Sequence, residues 1–129
     1  CEIGIYNRTR ENAESLCSDL GVEATVLTEK TISEFIRSSH LVVNTTSLGQ
    51  QEGEENNLID FDSLNSSAHV YDLIYNPSKT TFLKHAEKSG CTVQNGLEML
   101  IHQAAQSFNL WHDTMPEIDE ELMSVLGVN

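Results

Sequence analysis

At 129 residues the chain is the length of one domain and long enough to enclose a hydrophobic core. A formal net charge of −13 opposes general nucleic-acid binding, which needs cations against phosphate, and no apolar run approaches a membrane span. Three widely spaced cysteines (Cys1, Cys17 and Cys91) fit neither a disulfide framework nor a Cys-based zinc site and suit a reducing compartment. The chain does not open on the basic and then apolar pattern of a secretory signal.

In chain order, residues 2–6 alternate and then meet Asn7, which predicts a strand ending in a loop. A helix follows over 10–20, with Ala13, Leu16 and Leu20 on one side and Gly21 as its stop. Residues 24–27 form a short β-branched run, and Thr31 caps a short helix over 31–36. The consecutive apolar residues opening 41–46 predict a strand covered on both faces. Residues 49–57 are polar and acidic, a loop, before a helical turn within 58–64. Glu52, Glu54, Glu55, Asp60 and Asp62, like Glu117, Asp119, Glu120 and Glu121, read as solvated surface.

Residues 70–75 predict the next strand, stopped by Asn76-Pro77, with Tyr71, Leu73 and Tyr75 on one face and Val70, Asp72 and Ile74 on the other. Phe82, Leu83 and Ala86 mark an amphipathic helix closed by Gly90. After a short strand at 91–94, Asn95 caps a long helix with Glu98 as its capping-box partner. Leu97, Leu100, Ile101, Ala104, Ala105, Phe108 and Trp111 form a wide apolar stripe, with Gln103 at its edge. A last helix lies within 116–126. Strands alternating with helices imply an α/β fold, a Rossmann-like, doubly wound, mainly parallel sheet with helices on both faces. No G-x-G-x-x-G occurs, so the chain reads as a domain truncated before its first βα unit, an omission expected to leave an unpaired sheet edge.

Several stretches, taken together and in order, resemble the C-terminal NADP-binding domain of the shikimate dehydrogenases. They are Tyr6-Asn7-Arg8-Thr9, Asn44-Thr45-Thr46-x-x-Gly49, Tyr71-Asp72-Leu73-Ile74-Tyr75-Asn76-Pro77, Thr81-x-Leu83, Asn95-Gly96-Leu97-Glu98-Met99-Leu100 with Gln103-Ala104-Ala105, and Phe108-x-x-Trp111. The resemblance covers nearly the whole chain. It implies that residues 1–129 serve an enzyme interconverting 3-dehydroshikimate and shikimate with NADP, on the route to chorismate and the aromatic amino acids. It also implies a small-molecule substrate, a cytoplasmic location, no nucleic-acid or membrane partner, and compatibility with a homodimer. The family's proton-handling Lys and Asp lie in an N-terminal substrate domain, so no catalytic residue is assigned in this chain, which alone is expected to be inactive.

The resemblance also distributes roles. Asn7, Arg8 and Thr9 take the place that reads the 2′-phosphate of NADP, where a planar guanidinium suits a phosphate dianion. The family often has Lys or Arg where Asn12 stands, and Arg10 is the candidate substitute. Thr45 meets cofactor ribose or pyrophosphate, or else closes its own strand-end turn. Leu73 packs on the nicotinamide, and Gly96 lets the backbone approach it. The Tyr75 hydroxyl and Gln103 contact the substrate. Asp72 reads as a structural carboxylate binding backbone amides. The histidines (His40, His69, His85, His102, His112) show no metal-ligand spacing and no metal site is assigned. Other readings stay open: a quinate-oxidising sibling, a non-catalytic dinucleotide-binding module, and a glutamyl-tRNA reductase cofactor domain, against which blocks 71–77 and 95–103 speak.

Overall fold

The computed structural model describes residues 2–51 and 59–127. Its elements are β1 (Gly4–Ile5), α1 (Arg10–Leu20), β2 (Thr25–Val26), α2 (Ile32–Ile36), β3 (Leu41–Asn44), a 3-10 turn at Phe61–Ser63, β4 (His69–Asp72), α3 (Thr81–Lys88), β5 (Thr92–Gln94), α4 (Leu97–His112) and α5 (Glu120–Val125). Every strand pairing is parallel, and helices alternate with the strands, as expected for this class. Hydrogen bonding divides the strands into two ladders, β1-β2 and β3-β4-β5. β1 and β3 do not pair with each other, so each keeps one edge without a strand partner among the described residues.

The core lies between the second ladder and α3. Val70 on β4 and Phe82, Leu83 and Ala86 on α3 are buried together with Leu27, Ile32 and Ile36 from the first half of the chain. Burying a side chain such as Leu83 is worth about 1.5–3 kcal/mol, so this shared cluster holds the two ladders in one domain. Phe61 of the 3-10 turn meets the Phe82 ring edge-on at 5.6 Å and the His85 ring at 4.9 Å, covering α3 from outside.

Several local expectations are corrected. β3 ends at Asn44 because the Asn44 Oδ1 accepts the Thr46 N–H (3.0 Å) and Thr46 Oγ1–H (2.8 Å), turning the chain. It is not covered on both faces either. Val42 and Asn44 face the core, while Leu41, 58% exposed, and Val43 lie on the open face. β4 stops at Asp72 for a related reason: its own carboxylate captures the Ile74 N–H at 3.1 Å. α1 has its predicted bounds and ends on Gly21 at φ +59, yet of its apolar side only Ala13 is buried, with Leu20 65% exposed. Thr31 precedes α2, but its hydroxyl accepts the Thr28 N–H (2.9 Å) and makes no cap bond to the helix.

The residue capping α4 is Gly96, and no capping box forms. Asn95 Oδ1 accepts the Leu97 N–H (3.0 Å), and Glu98 instead accepts a bond from the Gln94 amide (2.6 Å). Of the α4 stripe, Ile101 and Ala105 are buried, whereas Leu100, Phe108 and Trp111 are exposed. Leu58 and the carboxylates Glu52, Glu54 and Glu55 lie outside the described residues. Among those described, no helix is long and apolar enough to cross a membrane.

Candidate functional site

β3 and β4 are neighbours in parallel register, with Asn44 opposite Asp72, so the loops leaving their C-terminal ends run side by side. In open α/β sheets that crevice is where ligands bind. Here it encloses a cavity of 390 Å³ lined by 45–47 and Gln50 on one wall and 73–76 on the other. The structure thus brings together three of the predicted site residues, Thr45, Leu73 and Tyr75.

Gly96 does not line the cavity but packs against the backbone of Leu73. A Cβ built on it would collide with the Leu73 carbonyl oxygen and stand 2.6 Å from the carbonyl carbon and 3.1 Å from the Cα. Only hydrogen at this position allows the β5–α4 connection to cross so close behind Leu73. The crossing is pinned by Asn95, whose Nδ2 donates to the Ser78 carbonyl at 2.8 Å, and by the Gly96 N–H reaching the Ile74 carbonyl at 3.4 Å. Asn95 was not among the predicted site residues. Its spacing matched a helix cap, which hid its role as a tie between two loops.

A buried polar network underlies both walls. Asp72 is fully buried, and its Oδ1 accepts from the Asn44 amide (3.0 Å) as well as from Ile74 N–H, while Oδ2 accepts the Thr80 hydroxyl (2.6 Å). Thr80 Oγ1 in turn accepts the Leu83 N–H and so caps α3. The reading of Asp72 as a structural carboxylate extends accordingly to two side-chain donors beside one backbone amide.

The remaining predicted residues lie outside the cavity lining. Asn7, Arg8 and Thr9 form the turn between β1 and α1, where Asn7 Oδ1 accepts the Thr9 N–H at 2.9 Å. Thr9 is the capping residue of α1 but makes no side-chain cap bond, and Asn12 N–H donates to the Thr9 carbonyl. Arg8 is exposed, and its guanidinium has no hydrogen-bond or ion-pair partner among the described residues. Arg10 differs, because its Nε is held by Glu14 one turn along α1 at 2.6 Å, an interaction that raises the guanidinium pKa further. Gln103 is exposed on α4.

On the opposite sheet face, His69 bridges Thr92 (2.9 Å) and Gln94 (3.2 Å), and Tyr71 is pushed up in pKa by burial with a smaller contribution from Glu98. No group of three or more metal-ligating side chains gathers among the described residues.

An all-parallel β/α arrangement, with a cavity beyond the carboxyl ends of adjoining strands, defines an open, Rossmann-like α/β domain. A family model described as the shikimate 5′-dehydrogenase C-terminal domain matches residues 96–120. A shikimate dehydrogenase (NADP(+)) of Ruegeria sp. (strain TM1040) is 42% identical over 118 residues, 92% of this chain and 42% of that protein. Among solved structures, shikimate 5-dehydrogenase from Listeria monocytogenes, in complex with shikimate and NAD, superposes with a TM-score of 0.82 at 28% identity, covering 97% of this chain and 47% of that one. Quinate dehydrogenase from Corynebacterium glutamicum, in complex with NAD, gives 0.81 at 25% identity, covering 97% and 46%. Over nearly its whole length the chain is similar to part of each of these dehydrogenases. It spans somewhat under half the length of the relatives it matches.

Proposed function

We propose that residues 1–129 form the cofactor-binding domain of an NADP-dependent shikimate dehydrogenase, which reversibly reduces 3-dehydroshikimate to shikimate. The observation that carries this reading is the meeting of Thr45, Leu73 and Tyr75 in one strand-end crevice, with Gly96 packed against the Leu73 backbone, in a chain similar to a protein of that name. The nicotinamide, when bound, supplies the hydride. The residues of this chain bind and orient. Leu73 offers the apolar surface for the ring, with the Gly96 backbone close behind it, and Thr45 offers a hydroxyl to the ribose or pyrophosphate. Tyr75 and Gln103 meet substrate hydroxyls. Arg8, with Asn7 and Thr9, receives the 2′-phosphate, a charge-assisted contact that water screens only in part. Asn12 and Arg10 border that site. Proton transfer is not assigned to this chain, and the 129 residues alone are expected to be inactive. The same reading places the protein in the cytoplasm, in aromatic amino acid biosynthesis, with a homodimer as the assembly to test for.

The test is shikimate-dependent NADPH formation by the protein at its full natural length, with quinate and NAD as parallel substrates. Turnover with shikimate and NADP, sharply reduced in Gln103→Ala, is the expected result. Turnover of quinate in preference to shikimate would keep the fold and select the quinate dehydrogenase reading, the activity named for the similar Corynebacterium glutamicum structure. No turnover of either acid by a folded protein would select a non-catalytic dinucleotide-binding module.

A further inference from the structure

The two walls of the crevice share one buried support. Wall one, 45–47 and Gln50, follows Asn44, whose amide nitrogen donates to Asp72 Oδ1 and whose amide oxygen holds both the N–H and the hydroxyl of Thr46. Thr46 Oγ1 then accepts the Leu48 N–H at 3.2 Å, and the Asn44 amide also reaches the Leu48 carbonyl at 3.4 Å. Wall two, 73–76, begins where the same Asp72 Oδ1 takes the Ile74 N–H. The far end of that loop is fixed by Thr80, whose hydroxyl donates to Oδ2. Among the described residues no buried side-chain nitrogen or oxygen lacks a partner, so this network is closed.

We propose that Asp72 is the positioning residue of the crevice: one carboxylate, acting through Asn44 and Thr80, sets the distance between the walls and so the placement of whatever lies between Thr45 and Leu73. This rests on the functional reading above, in which the nicotinamide and substrate occupy that space. The chemistry of the site favours a carboxylate. Three donors converge on residue 72, and a carboxylate accepts all of them, whereas the isosteric amide keeps one acceptor oxygen for Asn44 and Ile74 and presents an NH₂ to Thr80, whose hydroxyl must then stop donating and accept a second bond beside the Leu83 N–H. A charged acceptor in a buried site also holds its donors more tightly than a neutral one. The Arg8 turn does not participate, since it follows a strand of the other ladder.

Positioning and mere support of the fold therefore predict different kinetics. In Asp72→Asn, and in Thr80→Val, kcat should fall roughly 10- to 100-fold, the penalty of reacting groups displaced by about an ångström. Inhibition by 2′,5′-ADP, which carries the 2′-phosphate read at the Arg8 end and lacks the nicotinamide half, should change far less than kcat. Thr80→Ser keeps the hydroxyl and should restore kcat, although it removes a methyl group from the core. Thr80→Val also removes the α3 cap, so rates are compared well below each variant's unfolding midpoint. Independently of turnover, amide exchange should accelerate at Thr46 and Ile74 in Asp72→Asn while Val70 stays protected; if that variant does not fold, Thr80→Val is read at Ile74.

Kcat retained in the folded variants, or a loss shared equally by 2′,5′-ADP binding, would overturn the proposal and leave Asp72 a core support. If the unmodified protein turns over neither acid, the functional reading falls, and exchange at Thr46 and Ile74 then decides the role of Asp72 by itself.

Discussion

Replacing Gly96 with alanine is expected to destabilise the domain by about 3 kcal/mol, at the upper end of what overpacking costs. Gly96 has φ −79, a conformation open to any residue, so the effect comes from space alone. Its methyl group would meet the Leu73 carbonyl and Cα, and both are backbone. No rotamer change relieves that collision. The β5–α4 connection must lift off β4, breaking the Gly96 N–H to Ile74 bond and pulling on Asn95 and Ser78. Because the displaced wall is one side of the crevice, loss of shikimate-dependent turnover should accompany the loss of stability. Gly21→Ala provides the comparison. That glycine sits at φ +59 with nothing within 4 Å of the added carbon, so only the left-handed backbone penalty of about 1–2 kcal/mol applies. Thermal unfolding of both variants decides the matter: a Gly96→Ala midpoint no lower than that of Gly21→Ala would show that the crossing is looser than its geometry implies.

Arg8→Ala should cost about 2 kcal/mol of affinity for the 2′-phosphate, within the range for hydrogen bonds to charged groups, or roughly 30-fold in the ratio of NADP to NAD use. Arg10→Ala should change that ratio by no more than about threefold, because Glu14 already engages its guanidinium and exposed pairs of this kind contribute little. The ratio of kcat/KM values for the two cofactors, or calorimetry with 2′,5′-ADP against 5′-AMP, reads the difference. Equal losses in the two variants would mean that the phosphate draws Arg10 away from Glu14, and that both arginines form the site.

The elements were legible wherever a periodic pattern had a matching stop. α1, with Gly21 after it, and α3, with Gly90 after it, are clear in the sequence because a helical face and a left-handed glycine are both local features. Strand ends were less legible. The alternation through Leu73 and Tyr75 predicts continued strand, but the Asp72 carboxylate takes the Ile74 N–H, and Asn44 does the same at Thr46. Such short-range competition depends on side-chain orientation, which spacing does not reveal. Periodicity also told which residues share a face and not what lies opposite that face, which is why the apolar sides of α1 and α4 include Leu20, Phe108 and Trp111 and yet leave them exposed. In the site, Thr45, Leu73, Tyr75 and Gly96 emerged through a resemblance in motif order. The Asn44–Asp72 bond spans 28 positions between two strands, and only the parallel register makes it visible.

The division of the strands into two ladders carries a consequence for how the domain comes apart. Among the described residues, no backbone hydrogen bond joins β1 or β2 to β3, β4 or β5, and the halves meet through apolar side chains such as Leu27, Ile36 and Val70. Apolar contact is non-directional, whereas a ladder bond is lost as a unit with its neighbours, so the seam between halves is the natural boundary between cooperative units. In rising denaturant the two-residue β1-β2 ladder should melt ahead of the three-stranded one, seen as earlier loss of the Leu27 amide signal than of the Val70 signal. The turn that carries Arg8 would then be released while the crevice around Leu73 still stands. Coincident loss of both signals would instead mark the hydrophobic seam as strong enough to make the domain a single cooperative unit.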